Sequence, residues 1–245
     1  MKTKIYEYDF IVEPFDTDYK GNLSLPQLVR SLLNGCNRHA SQWGFGYKNL
    51  KEGNHAWVLF KITIELNDVL KMGETVHVRT WVDSIMRTFS QRNFEIHGEN
   101  DRIVGYARSV WALIDIEKKA PASLVGSGIE DFLVNQQVPL SRSKKIIDPM
   151  QGECKSYIVK YSDLDVNRHM NSAKYLEHNM NTFTIDDLAN KRIQKIELEY
   201  VEESFFDETI NIQKTEESQG DFILIHKKQD GHIVCKSRIV LVDEE

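Results

Sequence analysis

The chain repeats its own pattern once, and this duplication restricts the folds that it can adopt. Residues 195–210 align with residues 61–76 without a gap, and residues 233–240 match residues 103–110. Repeated sequence marks repeated structural units, and two copies are too few for a solenoid of stacked repeats. The duplication therefore predicts two lobes of similar fold.

Within the first copy, the hydrophobic pattern changes from helical to strand-like spacing. Residues 5–15 are typical of a strand, and apolar residues recur with helical spacing from Leu25 to Trp43, after the N-cap residue Ser24. From residue 57 onward, apolar side chains alternate as in half-buried strands. One strand, one long helix and several antiparallel strands predict an α+β fold in which the helix lies on a curved sheet.

A segment rich in proline and glycine separates the two copies. It contains Pro121, Gly126, Gly128, Pro139 and Pro149, with a basic cluster formed by Arg142, Lys144 and Lys145. Proline and glycine interrupt regular structure. We therefore predict a first lobe at residues 1–120, a linker at 121–152 with a short helix near 129–134, and a second lobe at 153–245.

The second copy carries a row of polar side chains. Alternate positions hold Asp163, Asp165, Asn167, His169 and Asn171. An extended backbone would place these side chains on one face. The pattern predicts a helix directly after the row, with Asn171 or Ser172 as its cap, so free backbone N–H groups are expected beside the row.

Three interpretations of this row compete. Asp-x-Asp-x-Asn opens calcium-binding EF-hand loops, but Arg168 and Lys174 occupy the positions that need glycine and a bidentate glutamate. We therefore expect no metal. The other interpretations are a polar turn that caps a helix and a catalytic site, because His, Asp and Asn suit general-base chemistry and oxyanion stabilisation.

The duplication helps to decide whether the row is a capping turn or a catalytic site. At the position of His169 the first copy has Asn22. At the position of Glu203 it has Val69. A row needed only for capping should keep similar chemistry in both copies. The difference indicates a division of labour, in which the second lobe performs chemistry and the first lobe binds.

Composition argues against several classes of function. A net charge of −6 argues against broad nucleic-acid binding. The N-terminus lacks the apolar stretch of a signal peptide, and no apolar run reaches membrane-spanning length. The three cysteines, Cys36, Cys154 and Cys235, are widely separated and suit reduced thiols. We therefore predict a cytoplasmic protein that does not insert into a membrane.

Together these motifs resemble those of the acyl-acyl carrier protein (acyl-ACP) thioesterases, which release fatty acids from the carrier. The resemblance rests on the Asp-x-Asn-x-His-x-Asn row before a helix, on Glu-Tyr-x-x-Glu at 199–203 and on the duplication, and it covers essentially the whole chain. It implies two tandem hotdog folds, each a long helix wrapped by an antiparallel sheet. It also implies that the acyl chain occupies the first hotdog and that the catalytic residues come mainly from the second.

The resemblance also implies the catalytic residues. By position, the family's Asp, Asn, His and Glu fall on Asp165, Asn167, His169 and Glu203. The next family position, often cysteine, holds Ser204, which weakens any mechanism with a cysteine nucleophile. We expect water to attack the thioester, with Glu203 as general base helped by His169. Asn167 would position substrate or water, Asp165 would orient the row, and backbone N–H groups at 171–173 would face the oxyanion.

Further residues are expected to bind the substrate. Asn171 and Ser204 adjoin the catalytic set, and Trp57 begins a strand that we expect to line the acyl pocket, together with the first helix and residues 92–96. The carrier protein is acidic in this family's systems, so the candidate contacts are Arg142, Lys144, Lys145, Arg168 and Lys174. No cofactor is expected, and a homodimer is possible.

Other activities stay open at this stage. An acyl-CoA thioesterase would use the same chemistry on a different carrier. A non-catalytic protein that binds acyl thioesters could keep the fold, and a hotdog dehydratase also uses a histidine and a carboxylate. Turnover of acyl-ACP and acyl-CoA measured side by side separates the first of these from the predicted activity.

Overall fold

Backbone contacts divide the chain into two units, Met1–Leu140 and Ser141–Glu245. The computed structural model describes residues 2–142, 145–148, 152–218 and 220–244. Leu124 and Ile129 are buried with Trp43 in one apolar cluster of the first unit. The first part of the predicted linker therefore belongs to the first unit, which extends beyond residue 120.

The first unit consists of a long helix and an antiparallel sheet. Helix α1 (Leu25–Trp43) is followed by helix α2 (Tyr47–Glu52), and short 3-10 turns cover Pro14–Asp16, Glu99–Asp101 and Ile129–Phe132. The sheet order is β1 (Ile5–Ile11), β3 (Thr75–Ile85), β4 (Phe89–His97), β5 (Ile103–Asp115) and β2 (His55–Leu66), with the short β6 (Ala120–Pro121) beside β5. The strands predicted from alternating apolar residues are confirmed.

Helix α1 forms where the sequence predicts it. Its buried stripe includes Leu28, Leu32 and Cys36, which recur at helical spacing. Gly44 ends the helix with φ +89, a left-handed conformation that favours glycine. Ser24 occupies the N-cap position as predicted, although its side chain forms no capping hydrogen bond.

The second unit repeats the plan of the first. Helices α3 (Ser172–Met180) and α4 (Ile185–Leu188) follow a 3-10 turn at Tyr161–Asp163. The sheet order is β7 (Glu153–Ile158), β9 (Thr209–Ser218), β10 (Asp221–Lys228), β11 (Ile233–Asp243) and β8 (Lys191–Tyr200). When the strands are numbered in chain order within each unit, the two units have the same strand order. The predicted duplication and the α+β class are confirmed.

The main helix of the second unit is shorter than the resemblance implied. Helix α3 has 9 residues, whereas α1 has 19. Asn171 caps its start, as predicted, because the side-chain oxygen accepts the Ala173 N–H at 3.0 Å. The helix ends at Met180, and Thr184 then begins α4 with a capping box, in which Thr184 and Asp187 bond reciprocally. Within the described ranges, no helix is long and apolar enough to cross a membrane.

A tight turn precedes the main helix of each unit, and both turns have the same hydrogen bonds. In the first unit, Asp18 Oδ1 accepts the backbone N–H groups two and four residues later, at 2.9 and 3.0 Å. In the second unit, Asp165 Oδ1 accepts the corresponding N–H groups at 2.8 and 3.2 Å. An aspartate that satisfies nearby backbone donors favours a turn over an extended strand.

The polar row of the second unit is therefore a turn and is not extended, so the condition for its side chains to share one face is not met. Asp163 is buried, where it accepts hydrogen bonds from the Tyr157 hydroxyl at 2.6 Å and the Lys160 N–H at 2.8 Å. Arg168 adopts a left-handed φ of +67, and Gly21 occupies the same place in the first unit with φ +79. The turn sends alternate side chains in different directions.

Both turn aspartates should stabilise the fold, whatever their role in chemistry. Asp18→Ala and Asp165→Ala each remove an acceptor of two backbone N–H groups, and each should lower the free energy of unfolding by about 1–3 kcal/mol. Thermal unfolding measures the effect. Asp131→Ala is the matched control, since the Asp131 carboxylate is exposed and accepts no hydrogen bond from the described residues. Unfolding midpoints equal to that of the control in both variants would contradict the turn's role.

Candidate active site

The loop before β9 returns beside the turn of the second unit and brings two predicted catalytic residues together. The Met170 N–H donates to the Ser204 carbonyl at 2.8 Å, and an isolated bridge pairs His169 with Phe205. His169 Nδ1 lies 3.0 Å from Glu203 Oε1. The imidazole and the carboxylate are therefore in direct polar contact.

The first unit has the same backbone arrangement without these side chains. Its Leu23 N–H donates to the Leu70 carbonyl at 2.6 Å, and an isolated bridge pairs Asn22 with Lys71. The fold therefore places an equivalent pair of positions in each unit. An imidazole and a carboxylate fill them in the second unit, whereas Asn22 and Val69 fill them in the first.

His169 is held on one side and open on the other. The ring of Phe205 meets the imidazole edge-to-face at a centroid distance of 4.9 Å. The His169 side chain keeps 28% of its surface exposed, and that of Glu203 keeps 51%. While His169 Nδ1 contacts Glu203, His169 Nε2 has no partner among the described residues. A molecule that approaches from solvent can therefore contact both side chains.

Glu203 differs from the acidic residues around it. Glu202 forms ion pairs with Lys228 at 3.2 Å and His232 at 3.4 Å. Glu208 accepts the Phe205 N–H at 2.9 Å and so supports the loop. Glu203 instead faces the imidazole, which argues against its being an ordinary solvated charge.

Ser204 is fully buried, so it does not fit the predicted contact with substrate. Its hydroxyl and the buried Tyr175 hydroxyl form no hydrogen bond within the described chain. Burial raises the pKa of Tyr175, and the neighbouring Ser204 hydroxyl lowers it by a smaller amount. The two hydroxyls are near one another without hydrogen-bonding geometry. A nucleophilic role for Ser204 has no support from its surroundings.

Backbone donors at the start of α3 are mostly occupied. The Asn171 N–H donates to the Asp163 carbonyl at 2.8 Å, and the Ala173 N–H donates to the Asn171 side chain. Of the three N–H groups predicted to face the oxyanion, only that of Ser172 lacks such a partner in the described chain. Of the backbone N–H groups predicted to donate to the oxyanion, the one that stays available is therefore that of Ser172.

The remaining predicted site residues differ in exposure and in the unit to which they belong. Asn167 and Asn171 are exposed at the turn. Trp57 belongs to the first unit, where its indole N–H donates to the Phe45 carbonyl at 3.0 Å. Arg142 and Lys145 are exposed, whereas Lys144 lies outside the described residues.

Sequence reasoning did not find the buried polar groups beneath the turn. Asp163 lies 3.4 Å from His178 Nε2. Burial raises the pKa of Asp163, but hydrogen bonds from Tyr157 and Lys160 outweigh burial and hold the pKa below its usual range. The alternation of the row singled out Asp163, although nothing in the sequence indicated that it would be buried.

Two of the cysteines, Cys36 and Cys235, are buried. Burial raises the pKa of the Cys36 thiol to about 11 and that of Cys235 to about 12, so both are protonated at neutral pH. Among the described residues, no cluster of three or more His, Cys, Asp or Glu side chains is arranged to hold a metal ion.

Comparison with known proteins agrees with the motifs. The family model for the acyl-ACP thioesterase N-terminal domain matches residues 3–130, and the model for the C-terminal domain matches residues 147–243. A chloroplastic palmitoyl-acyl carrier protein thioesterase from Gossypium hirsutum is 26% identical over 96% of this chain, and an oleoyl-acyl carrier protein thioesterase from Coriandrum sativum is 20% identical over 88%. This chain spans 63% and 64% of the length of those two proteins.

Solved structures confirm the fold that the resemblance implied. An acyl-ACP thioesterase from Bacteroides thetaiotaomicron is 36% identical, with a TM-score of 0.92 and 98% of each chain covered. A 12:0-ACP thioesterase from Umbellularia californica shares the fold at 17% identity, with a TM-score of 0.88 over 100% of this chain and 99% of that chain. The predicted tandem hotdog architecture is confirmed. Both halves match their family models, and the chain therefore belongs to the acyl-ACP thioesterase family.

Proposed function

We propose that this protein hydrolyses the thioester of fatty acyl-ACP, which releases a free fatty acid and the carrier's thiol. One observation carries the proposal: His169 Nδ1 lies 3.0 Å from Glu203 Oε1 at a partly exposed site. Membership of the family supports the choice of substrate. The position after Glu203 holds a buried serine, which supports attack by water over a covalent acyl-enzyme.

Glu203 acts as the general base in this proposal. His169 Nδ1 contacts Glu203 Oε1 and holds the carboxylate in place, while the exposed remainder of the carboxylate accepts a proton from the attacking water. A positioned acid or base typically accelerates such a step by about 10²–10⁴-fold. The exposed Asn167 positions the water or substrate, and Asp165 acts indirectly because it builds the turn that holds both residues.

Negative charge on the thioester oxygen needs a nearby donor. The Ser172 N–H fits this need, because it lies at the first position of α3 and has no partner in the described chain. The positive end of the helix dipole adds to the stabilisation. We assign Ser172 as the backbone donor to the oxyanion.

The first unit binds the acyl chain in this proposal. Its position at Glu203 holds Val69, so it lacks the catalytic pair. Apolar burial of about 0.8 kcal/mol per CH₂ gives such a lobe enough affinity to hold a fatty chain. Trp57 contributes an apolar ring surface to this lobe, and its indole N–H donates to the Phe45 carbonyl. The cytoplasmic location and the homodimer stay predictions.

Removal of either member of the pair should abolish most turnover. His169→Ala and Glu203→Gln should each lower kcat on acyl-ACP by about 10²–10⁴-fold, because each removes the positioned base or the group that holds it. Release of the carrier thiol measures the rate. Glu202→Gln is the matched control, since this adjacent carboxylate pairs with Lys228 and His232 instead. Near-wild-type kcat in either pair variant would remove the mechanism.

The exposed basic residues should contribute to carrier binding. A double variant, Arg142→Glu with Lys145→Glu, should raise KM for acyl-ACP several-fold at low salt, and added salt should reduce the difference by screening. KM for acyl-CoA should change less, because that substrate lacks the carrier's acidic surface. Lys48→Glu in α2 is an exposed control. An unchanged KM for acyl-ACP at low salt would exclude these two residues from docking.

A further inference from the structure

Arg92 is a buried cation without a carboxylate partner. It lies on β4 and keeps only 4% of its surface exposed. Its Nη1 donates to His39 Nδ1 at 2.9 Å and to Thr80 Oγ1 at 3.3 Å. No ion pair joins Arg92 to a described residue, and its Nε and Nη2 atoms form no hydrogen bond there. A buried charge is unfavourable unless it is paired.

The groups around Arg92 do not neutralise it. His39 donates its Nε2–H to the Thr3 carbonyl, and burial and Arg92 lower the pKa of His39 to about 3, so the imidazole is neutral. Burial raises the pKa of Cys36 to about 11 and also raises that of Tyr8, so both are neutral too. The Trp43 ring lies 5.7 Å from the guanidinium and stabilises it only weakly.

The second unit shows how a buried arginine is normally satisfied in this protein. Arg238 is also 4% exposed, but it forms ion pairs with Asp221 and with Glu217. Arg238 has carboxylates that balance its charge, whereas Arg92 has none among the described residues. We therefore look outside the described chain for the group that balances Arg92.

The open edge of Arg92 matches one kind of ligand. Nε and Nη2 present two parallel N–H donors, and this fork fits the two oxygens of a carboxylate. The same face of β4 continues with Phe94 and Ile96, which are fully buried. A cationic fork beside apolar side chains suits a carboxylate that carries an alkyl chain.

We propose that Arg92 anchors a site in the first unit for the carboxylate of an alkyl chain. Two sources supply this chemistry: a free fatty acid, and an acyl chain that carries a carboxyl group at its far end. Both sources rest on the proposed function, since the first is the product of that reaction and the second is a substrate. Binding itself is measured without turnover.

Direct binding of decanoate and of methyl decanoate at pH 7 tests the site. Wild-type protein should bind decanoate about tenfold more tightly than the ester, a difference of about 1.4 kcal/mol. Arg92→Met should lose this preference while it keeps its affinity for the ester. Arg30→Met, on the exposed face of α1, should behave as wild type. Equal affinities in wild type, or a preference that survives in a folded Arg92→Met, would overturn the proposal.

A second measurement uses only wild-type protein, in case Arg92→Met does not fold. The ¹³C carboxyl signal of labelled decanoate, followed against pH, should give a lower pKa for the bound acid than for the free acid. An equal or higher pKa would overturn the site. Loss of acyl-ACP hydrolysis in wild type would remove the proposed function and leave both binding results unaffected.

Kinetics then distinguish the two sources. Inhibition of hydrolysis by decanoate that Arg92→Met relieves assigns the site to the product. A preference for acyl chains with a terminal carboxyl that Arg92→Met removes assigns it to the substrate. If wild type shows neither effect, neither source of carboxylate uses the site, and the proposal is overturned.

Discussion

Two backbone N–H groups that donate to one carboxylate, that of Asp165, hold the turn on which the proposed active site depends. Asp165 accepts two N–H groups and folds the polar row into a turn. The turn then pairs with the loop before β9 through the bond from Met170 to Ser204, which brings His169 beside Glu203. Because the turn holds both positions in place, the proposed catalysis needs little further ordering of these side chains.

The duplicated fold provides its own comparison. Asp18 builds the same turn in the first unit, so the aspartate belongs to the scaffold and its presence alone does not indicate catalysis. The positions that differ between the units include those of the proposed catalytic residues, His169 and Glu203. The first unit, without this pair, retains a buried Arg92 that no carboxylate of the described chain compensates. The two units therefore differ in their polar groups while they share a topology, which fits separate roles in binding and in hydrolysis.

The sequence predicted the elements whose periodicity is strong. Helix α1, the strands β2 to β5 and the duplication all follow from side-chain spacing, and the proposed catalytic pair follows from the family resemblance. The polar row is a turn because nearby backbone N–H groups donate to Asp165, and such local bonds override an alternating pattern. The length of α3 was overestimated, since the Thr184 capping box starts a new helix. The burial of Ser204 and Arg92 arises from tertiary packing, which periodicity does not report.

The most direct test of this account gives the second unit the residues of the first. The double variant His169→Asn with Glu203→Val keeps Asp165 and therefore keeps the turn. Its circular dichroism should match wild type, with a thermal midpoint changed by only a few degrees, while acyl-ACP hydrolysis should fall by at least about 10²-fold. A folded double variant that releases fatty acid at the wild-type rate would contradict the claim that this pair is the hydrolytic centre.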